Sequence, residues 1–382
     1  MNDIEALRPV LGRLQWKFLV IGVVALIACA IGAVFNWTQF ARSYLLAYIF
    51  WLEIGLGCFS ILMLHHMVGG RWGYVIRRPL EAGSRTIPLL ALLFVPLYFA
   101  HSRLYPVVTG ADFKARYLNP PFFFGRTILY FALWILFAYL LNKWSSVQDR
   151  DSSPLLIKRL QNISAPGLLI YCFSITFLAV DWVMSLEPKF FSTIWGMIFV
   201  IMPALVAMSF IVIITTLLAK YEPISRVVSP ERFNDFGNLL LVFVMLWAYL
   251  SFAQFLIIWA GNLQDEIPWY TVRATGGWAA IGLFIILFHF AVPFVLLLNR
   301  PVKRKMKVLA GVGAGLVVMT WVDLYWFIVP SFYPLAPHIS WMDIVATIGI
   351  GGVWLAMFVG QLKKKPLLPL RDPRFEGVVQ HG

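Results

Sequence analysis

Apolar residues fill ten stretches of roughly 20 residues, each long enough to cross about 30 Å of hydrocarbon as an α-helix. The predicted spans cover residues 17–36, 43–68, 86–104, 123–143, 164–186, 191–219, 235–260, 276–299, 307–329 and 343–362. The pattern therefore predicts an all-α polytopic membrane protein with ten transmembrane helices, in which residues 1–382 form a single integral membrane domain.

The basic residues divide unevenly between the two sides of these spans. Of the 31 Lys and Arg residues, 24 lie in segments on the side of the N-terminus and seven in segments on the other side. Because cytoplasmic loops are enriched in Lys and Arg, this alternation predicts that both termini are cytoplasmic. Residues 363–382 are then a cytoplasmic tail.

A weak internal sequence similarity divides the chain into two halves. Span 5 ends FLAVDWVMSLEP and span 9 ends TWVDLYWFIVPSFYP, so Asp181 and Asp323 both lie near the outer end of an outward-running helix. Each is about 25 Å from the inner start of its helix. We expect two four-helix bundles, spans 2–5 (residues 43–186) and spans 6–9 (residues 191–329), with spans 1 and 10 as additional helices.

Composition agrees with this class and excludes others. The chain is 60% hydrophobic and 13% charged, whereas a soluble domain is about one quarter charged. The net charge of +13 is spread over short loops, so we expect no nucleic-acid partner. Cys29, Cys58 and Cys172 form no CxxC or CxxCH motif, so disulfides, covalent haem and iron–sulfur ligation by this chain are not expected. No metal-ligand spacing is present either.

Glu53 is the outstanding residue of the second span, because a carboxyl group inside an apolar stretch is costly and usually functional. It lies roughly 16 Å from the start of the span, near the membrane midplane. Gly55 and Gly57 should let a neighbouring helix or a ligand approach it. We interpret Glu53 as a proton carrier or a quinone-linked acid–base group; the structural alternative is a protonated Glu bonded to a neighbouring helix.

His65 and His66 lie near the cytoplasmic end of the same span, roughly 18 Å from Glu53 and on a different face. They are candidates for a proton entry point, because imidazole titrates near neutral pH. The alternative is an interfacial pair bonded to loop carbonyls or lipid. A haem site would need a second His at matching depth; His289 is the only candidate, and nothing in the sequence pairs it.

Several polar residues lie toward the outer side. His101, Asp181, Asp323 and Tyr325 could form an outer half-path for protons or a pocket for a quinone head group, since each can donate a hydrogen bond or pass a proton. We expect a role in the relay for Asp181 in particular. Structural bonds between helices are the alternative, and we prefer them for Ser251 and Gln254. The outer loop GNLQDEIPWYTVRATGG either docks a partner or anchors aromatic residues at the interface.

Three blocks carry a resemblance to a known family: LHHMVGGRWG, DWVMSLEP and WAGNLQDEIPWY. With them the chain, from span 1 to span 10, resembles the second NrfD-like membrane subunit of alternative complex III, a bacterial respiratory complex that passes electrons from quinol to cytochrome c or another periplasmic acceptor. The resemblance implies two four-helix bundles and location in the bacterial inner membrane. The residues that match the family pattern are Glu53, His65, His66, Asp181 and the Gly261-Asn262 turn.

The resemblance also implies partners and cofactors. This chain would hold no redox cofactor, although quinone could bind, while haem c and iron–sulfur clusters would belong to partner subunits. The partners would be an NrfD-like paralogue, an iron–sulfur subunit, multihaem cytochrome c subunits and the quinol pool. The expected function is a quinone-side environment or a transmembrane proton path. A stand-alone secondary transporter and a purely structural scaffold remain the alternatives.

Overall fold

The computed structural model describes residues 3–106 and 113–372, and within these ranges the chain is helical and forms no strand. The long helices are α1 (Asp3–Phe35), α2 (Trp37–Val68), α3 (Arg71–Leu93), α4 (Val95–Leu104), α5 (Pro120–Gln148), α6 (Pro154–Trp182), α7 (Trp195–Leu218), α8 (Pro230–Ala260), α9 (Gly276–Leu298), α10 (Met306–Ile328) and α11 (Trp341–Leu362). Short helices are Phe113–Tyr117, Met184–Leu186, Ile224–Val227, Ile267–Arg273, Arg300–Arg304 and Val329–Ser331.

Nine helices of the described ranges are long and apolar enough to cross a membrane, and α3 with α4 would make a tenth span. The chain is therefore an all-α, multi-pass membrane protein, as the hydrophobic pattern predicts. Helices α5, α6 and α8 begin before the predicted apolar stretches that start at residues 123, 164 and 235, because their first turns are polar and capped. Asn119, Ser153 and Ser229 each accept a bond from a backbone N–H of the first turn and precede a proline.

The third predicted span is broken. Helices α3 and α4 meet at an angle of 55° around Phe94. Pro96 lies at the start of α4 and has no backbone N–H to donate to the preceding turn, which accounts for the break at this point.

Helix α2 lies at the centre of the protein. In its most apolar window 94% of the residues are buried, compared with 17% in α1. It packs against α3, α4, α6, α7 and α11, while α1 lies outside and packs mainly on α11. Polar residues of α2 are therefore enclosed by protein and do not face lipid.

A buried charged cluster joins α3 to the end of the described chain. Glu81 accepts bonds from Arg77 at 3.1 Å and from Arg78 at 2.7 Å, and Arg77 also bonds Asp372 at 3.0 Å. Arg78 pairs in addition with Asp149 at the end of α5. These bonds hold the segment up to Asp372 against α3 and α5; residues 373–382 of the predicted tail lie outside the described residues.

Candidate functional site in the core

Glu53 lies near the middle of α2 and is 3% exposed. Neither of its carboxyl oxygens has a hydrogen-bond partner among the described residues. Gly57, one turn further on, brings α2 and α7 into backbone contact: a Cβ atom added there would lie 1.8 Å from the carbonyl oxygen of Pro203. The expectation that these glycines admit a neighbouring helix is correct, and Glu53 lies beside this closest approach.

Asp323 of α10 faces the same region, and its charge and that of Glu53 are close enough to interact. Its Oδ2 atom accepts a hydrogen bond from the indole of Trp247 in α8 at 2.9 Å. The Nδ1 atom of His289 lies 3.6 Å from the same oxygen, and the His289 ring packs on Trp247 with centroids 4.3 Å apart. Three helices thus bring Asp323, His289 and Trp247 into contact, and Glu53 of α2 lies within electrostatic range of Asp323; we call these four buried residues the core cluster.

His289 belongs to a π-helical turn, Ile286–Ala291, inside α9. Such turns are rare and frequently occur at functional sites. Pro293 explains the turn, because it lacks the N–H that would bond the carbonyl group of His289 four residues earlier. The sequence interpretation considered His289 only as a haem ligand and missed its place beside Asp323; its spacing from Pro293 was the available signal.

Polar groups continue from Glu53 toward the other end of α2. Ser60 lies seven residues, or two turns, after Glu53 and therefore on the same face. The hydroxyl group of Tyr171 in α6 lies beside Ser60 and within electrostatic range of Glu53, and it donates to the carbonyl of Val200 at 3.2 Å. Sequence reasoning did not name Ser60 or Tyr171, although the seven-residue spacing of Ser60 was visible.

His65 and His66 are both buried at the end of α2, with ring centroids 5.5 Å apart. The chain turns back over them through Gly69 and Gly70, whose φ angles of 71° and 93° favour glycine. His65 packs on Trp72 and so closely on Gly73 that a Cβ atom there would lie 1.8 Å from Nδ1. The pair lies 12 residues from Glu53, so its use as a proton entry point stays a prediction.

Asp181 lies in a different environment from Asp323. Arg126 of α5 donates two hydrogen bonds to its carboxylate, Nε to Oδ2 at 2.9 Å and Nη2 to Oδ1 at 2.7 Å. Tyr130 donates a third to Oδ2 at 2.8 Å. This charge-assisted fork ties α5 to α6 and satisfies the carboxylate. The structure thus gives Asp181 a strong structural partner, and the relay role that we predicted for it stays a prediction.

The predicted outer group is spread over the protein. His101 packs on Tyr105, Phe123 and Phe124. The Tyr325 ring packs on Trp278 and Trp321, on the far side of α10 from Asp323. Among the described residues no ring contact or hydrogen bond joins His101 to Tyr325 or Asp323.

The aromatic loop after α8 folds inward. Trp269 is 3% exposed and stacks on Phe190, and Arg273 bonds Glu187 at 2.9 Å. Burial lowers the pKa of Arg273 to about 10, an effect that the charge of Glu187 opposes. Gln254 bonds Ser192 and Tyr270, as expected for a structural residue. The Gly261-Asn262 turn ends α8, with Asn262 in the left-handed region at φ 49°.

Within residues 3–106 and 113–372, no group of three or more His, Cys, Asp or Glu side chains lies close enough to hold a metal ion. A scan against protein-family models matches no family to this chain, and a search of curated proteins finds no match.

Proposed function

We propose that this chain is a membrane subunit of a bacterial respiratory quinol:cytochrome c oxidoreductase, similar to the second NrfD-like subunit of alternative complex III, and that it carries protons through its core. The LHHMVGGRWG, DWVMSLEP and WAGNLQDEIPWY blocks support the family assignment. The core cluster supports the proton path.

One observation carries the proton path: Glu53 is buried at mid-helix, makes no hydrogen bond to a described residue and lies within electrostatic range of a second buried carboxyl group. A carboxyl group whose only role was to hold helices together would be expected to have a hydrogen-bond partner, because an unsatisfied buried polar group costs about 1–3 kcal/mol. The second carboxyl group, that of Asp323, lies within electrostatic range, so the charge of each group acts on the other. The pair is therefore suited to accepting and releasing a proton.

The two outer aspartates support the choice of Asp323 over Asp181 as the second member. Arg126 and Tyr130 satisfy Asp181, whereas Asp323 faces Trp247 and the imidazole of His289 and pairs with no Arg or Lys among the described residues. Both carboxyl oxygens of Asp181 accept charge-assisted bonds from a guanidinium group, whereas Asp323 has an imidazole, a group that can pass a proton, 3.6 Å away.

The proposed path has an inner and an outer section. The inner section runs from His65 and His66 past Ser60 and Tyr171 to Glu53, and the outer section continues through Asp323 and His289. His65 is roughly 18 Å from Glu53 along α2, so water must bridge the inner section. Glu53 then acts as the acid–base group between the two sections.

The proposed setting follows the sequence analysis. The chain would cross the bacterial inner membrane ten times with both termini inside, and α2–α6 and α7–α10 would form two related bundles. No redox cofactor would be held by this chain; haem c and iron–sulfur clusters would lie on partner subunits, and quinone would bind beside it. Single cysteines placed in the loops, labelled with an impermeant thiol reagent in intact cells, test the topology.

Glu53→Gln tests the function. In a complex purified through a tag on this chain, we expect multihaem cytochrome c and iron–sulfur subunits to co-purify with wild-type and variant alike. In proteoliposomes the variant should lower proton translocation or quinol turnover by roughly tenfold or more. Glu231→Gln is the matched control, because Glu231 is exposed at the start of α8. Unchanged activity in an assembled Glu53→Gln complex would remove Glu53 from the mechanism.

A stand-alone transporter is the second candidate, and the broken α3–α4 span and the π-helical turn of α9 favour it. Transporters place substrate at paired helix breaks in their two halves. Here the breaks lie in the third and the eighth predicted spans, which do not correspond to each other in the two predicted bundles. This mismatch weakens the case for a transporter. Purification as a single chain that a substrate stabilises would support a transporter, and co-purification with haem proteins would oppose it. A scaffold would retain full activity after combined replacement of Glu53, His65 and Asp181.

A further inference from the structure

A basic groove opens at the end of the protein where α5 ends and α11 meets the C-terminal segment. Its cavity of about 730 Å³ is lined by ten residues, of which five are cationic and none is acidic. The cationic residues are Arg85, Lys143, Arg150, Lys364 and Lys365. They come from three separate parts of the chain that the fold brings together.

A second, more apolar cavity of about 320 Å³ continues from the first and shares Arg85, Tyr139, Asn142 and Gln361 with it. Its other lining residues include Pro88, Ile135 and Met357. In each of the three parts of the chain these residues lie further inside the predicted span than the cations: Pro88 follows Arg85, Ile135 precedes Lys143, and Met357 precedes the Lys364 that follows α11. The groove therefore has a charged mouth at the membrane surface and an apolar end that points into the membrane.

The charge of the mouth is only partly balanced. Arg85 and Lys365 approach Glu81 at 3.7 and 3.4 Å, but Glu81 is already bound by Arg77 and Arg78. Lys143, Arg150 and Lys364 are exposed, and none of them forms an ion pair with a described acidic residue. The mouth is thus suited to a group that carries negative charge.

We propose that this groove binds one anionic phospholipid, with its phosphate among the five cations and an acyl chain along Pro88, Ile135 and Met357. Basic pockets between membrane helices bind anionic head groups in this way. A free phosphate would satisfy the mouth but would leave the apolar end unused. Burial lowers the pKa of Lys365 to about 8, and a phosphate beside it would favour its charged form.

Native mass spectrometry of the delipidated full chain tests the proposal, with phosphatidylglycerol, phosphatidylcholine, glycerol phosphate and inorganic phosphate as probes. We expect one tightly bound phosphatidylglycerol. Each Lys near an anionic lipid contributes a factor of roughly five, so Lys143→Gln/Lys364→Gln should weaken binding by roughly 30-fold. Both lysines are exposed, so their replacement should leave the fold intact.

Lys158→Gln/Lys220→Gln is the control: it removes two exposed lysines away from the groove and should bind phosphatidylglycerol as wild-type does. Equal binding of phosphatidylcholine, or an equal loss in the control, would overturn the proposal. So would binding of glycerol phosphate or inorganic phosphate as tight as that of the lipid, since the groove would then hold a free anion. Failure to bind any lipid would also overturn it.

Discussion

The Nδ1 atom of His289 lies 3.6 Å from the Oδ2 atom of Asp323. Hydrogen bonds of this kind are typically 2.7–3.2 Å long, so the observed distance is roughly half an ångström too long for one. Neither ring nitrogen of His289 has a hydrogen-bond partner among the described residues. The two groups are therefore placed to make a bond after a small movement and to break it again, as proton exchange requires. The π-helical turn that carries His289 provides a local irregularity where such a movement can occur.

The contact between Gly57 and Pro203 leads to a prediction about packing. Gly57→Ala should strongly destabilise the protein, because the added methyl group would lie 1.8 Å from a backbone carbonyl oxygen and would force α2 and α7 apart. Gly315→Ala is the matched control in α10, where nothing lies within 4 Å of the added Cβ. It should be neutral or stabilising by up to about 1 kcal/mol. Thermal unfolding in detergent compares the two, and equal midpoints would contradict the packing described here.

The fork between Arg126 and Asp181 leads to a prediction about stability. Arg126→Met should cost about 3–5 kcal/mol, because it leaves a buried carboxylate without its partner. Arg126→Met/Asp181→Asn should recover part of this loss. Arg226→Met, which breaks the exposed pair with Glu222, is the control and should cost about 1 kcal/mol or less. Denaturant titration in detergent measures the free energy of unfolding of all three variants. If Arg126→Met lost no more stability than Arg226→Met, the bonds between Arg126 and Asp181 would not be structural.

The C-terminal segment leads to a prediction about pH. Burial lowers the pKa of Lys365 from its ordinary 10.5 to about 8. Between these values the unfolded chain binds more protons than the folded chain, so the contribution of Lys365 to the free energy of unfolding rises with pH from about 8 to 10.5. NMR of ¹³C-methylated lysines should show a Lys365 resonance that titrates near pH 8 and is absent in Lys365→Arg. Its titration midpoint should rise when phosphatidylglycerol is added. Titration of that resonance near 10.5 would contradict the buried environment.

The sequence predicted the helices better than it predicted their partners. Runs of apolar residues define the spans, because hydrophobic length is a local property. The bend at Phe94 depends on Pro96, which was visible, but its angle of 55° depends on packing against α2 and α5.

The site shows the same division. The position of Glu53 near the middle of α2 followed from counting residues along one apolar stretch, since the rise per residue is fixed; its depth in the membrane stays a prediction. Asp181 and Asp323 lie at similar distances from the inner ends of their predicted spans, so the sequence could not tell which one lies nearer to Glu53. Which aspartate lies near Glu53 depends on how each helix is rotated about its axis, and contacts between distant segments set that rotation. In the structure Arg126 forms an ion pair with Asp181, whereas Asp323 lies within electrostatic range of Glu53.

The most direct test of the central claim is infrared spectroscopy of the purified chain, because it detects the proton on a buried carboxyl group without requiring the partner subunits. We predict a carbonyl stretch from a protonated carboxyl group in a medium of low polarity. It should shift in D₂O, showing exchange with solvent, and change with pH. Its Glu53 component should be lost in Glu53→Gln but not in Glu231→Gln, and what remains in Glu53→Gln should be lost when Asp323→Asn is added. A spectrum that Glu53→Gln leaves unchanged, or a Glu53 component that neither exchanges nor titrates, would contradict a proton relay through Glu53.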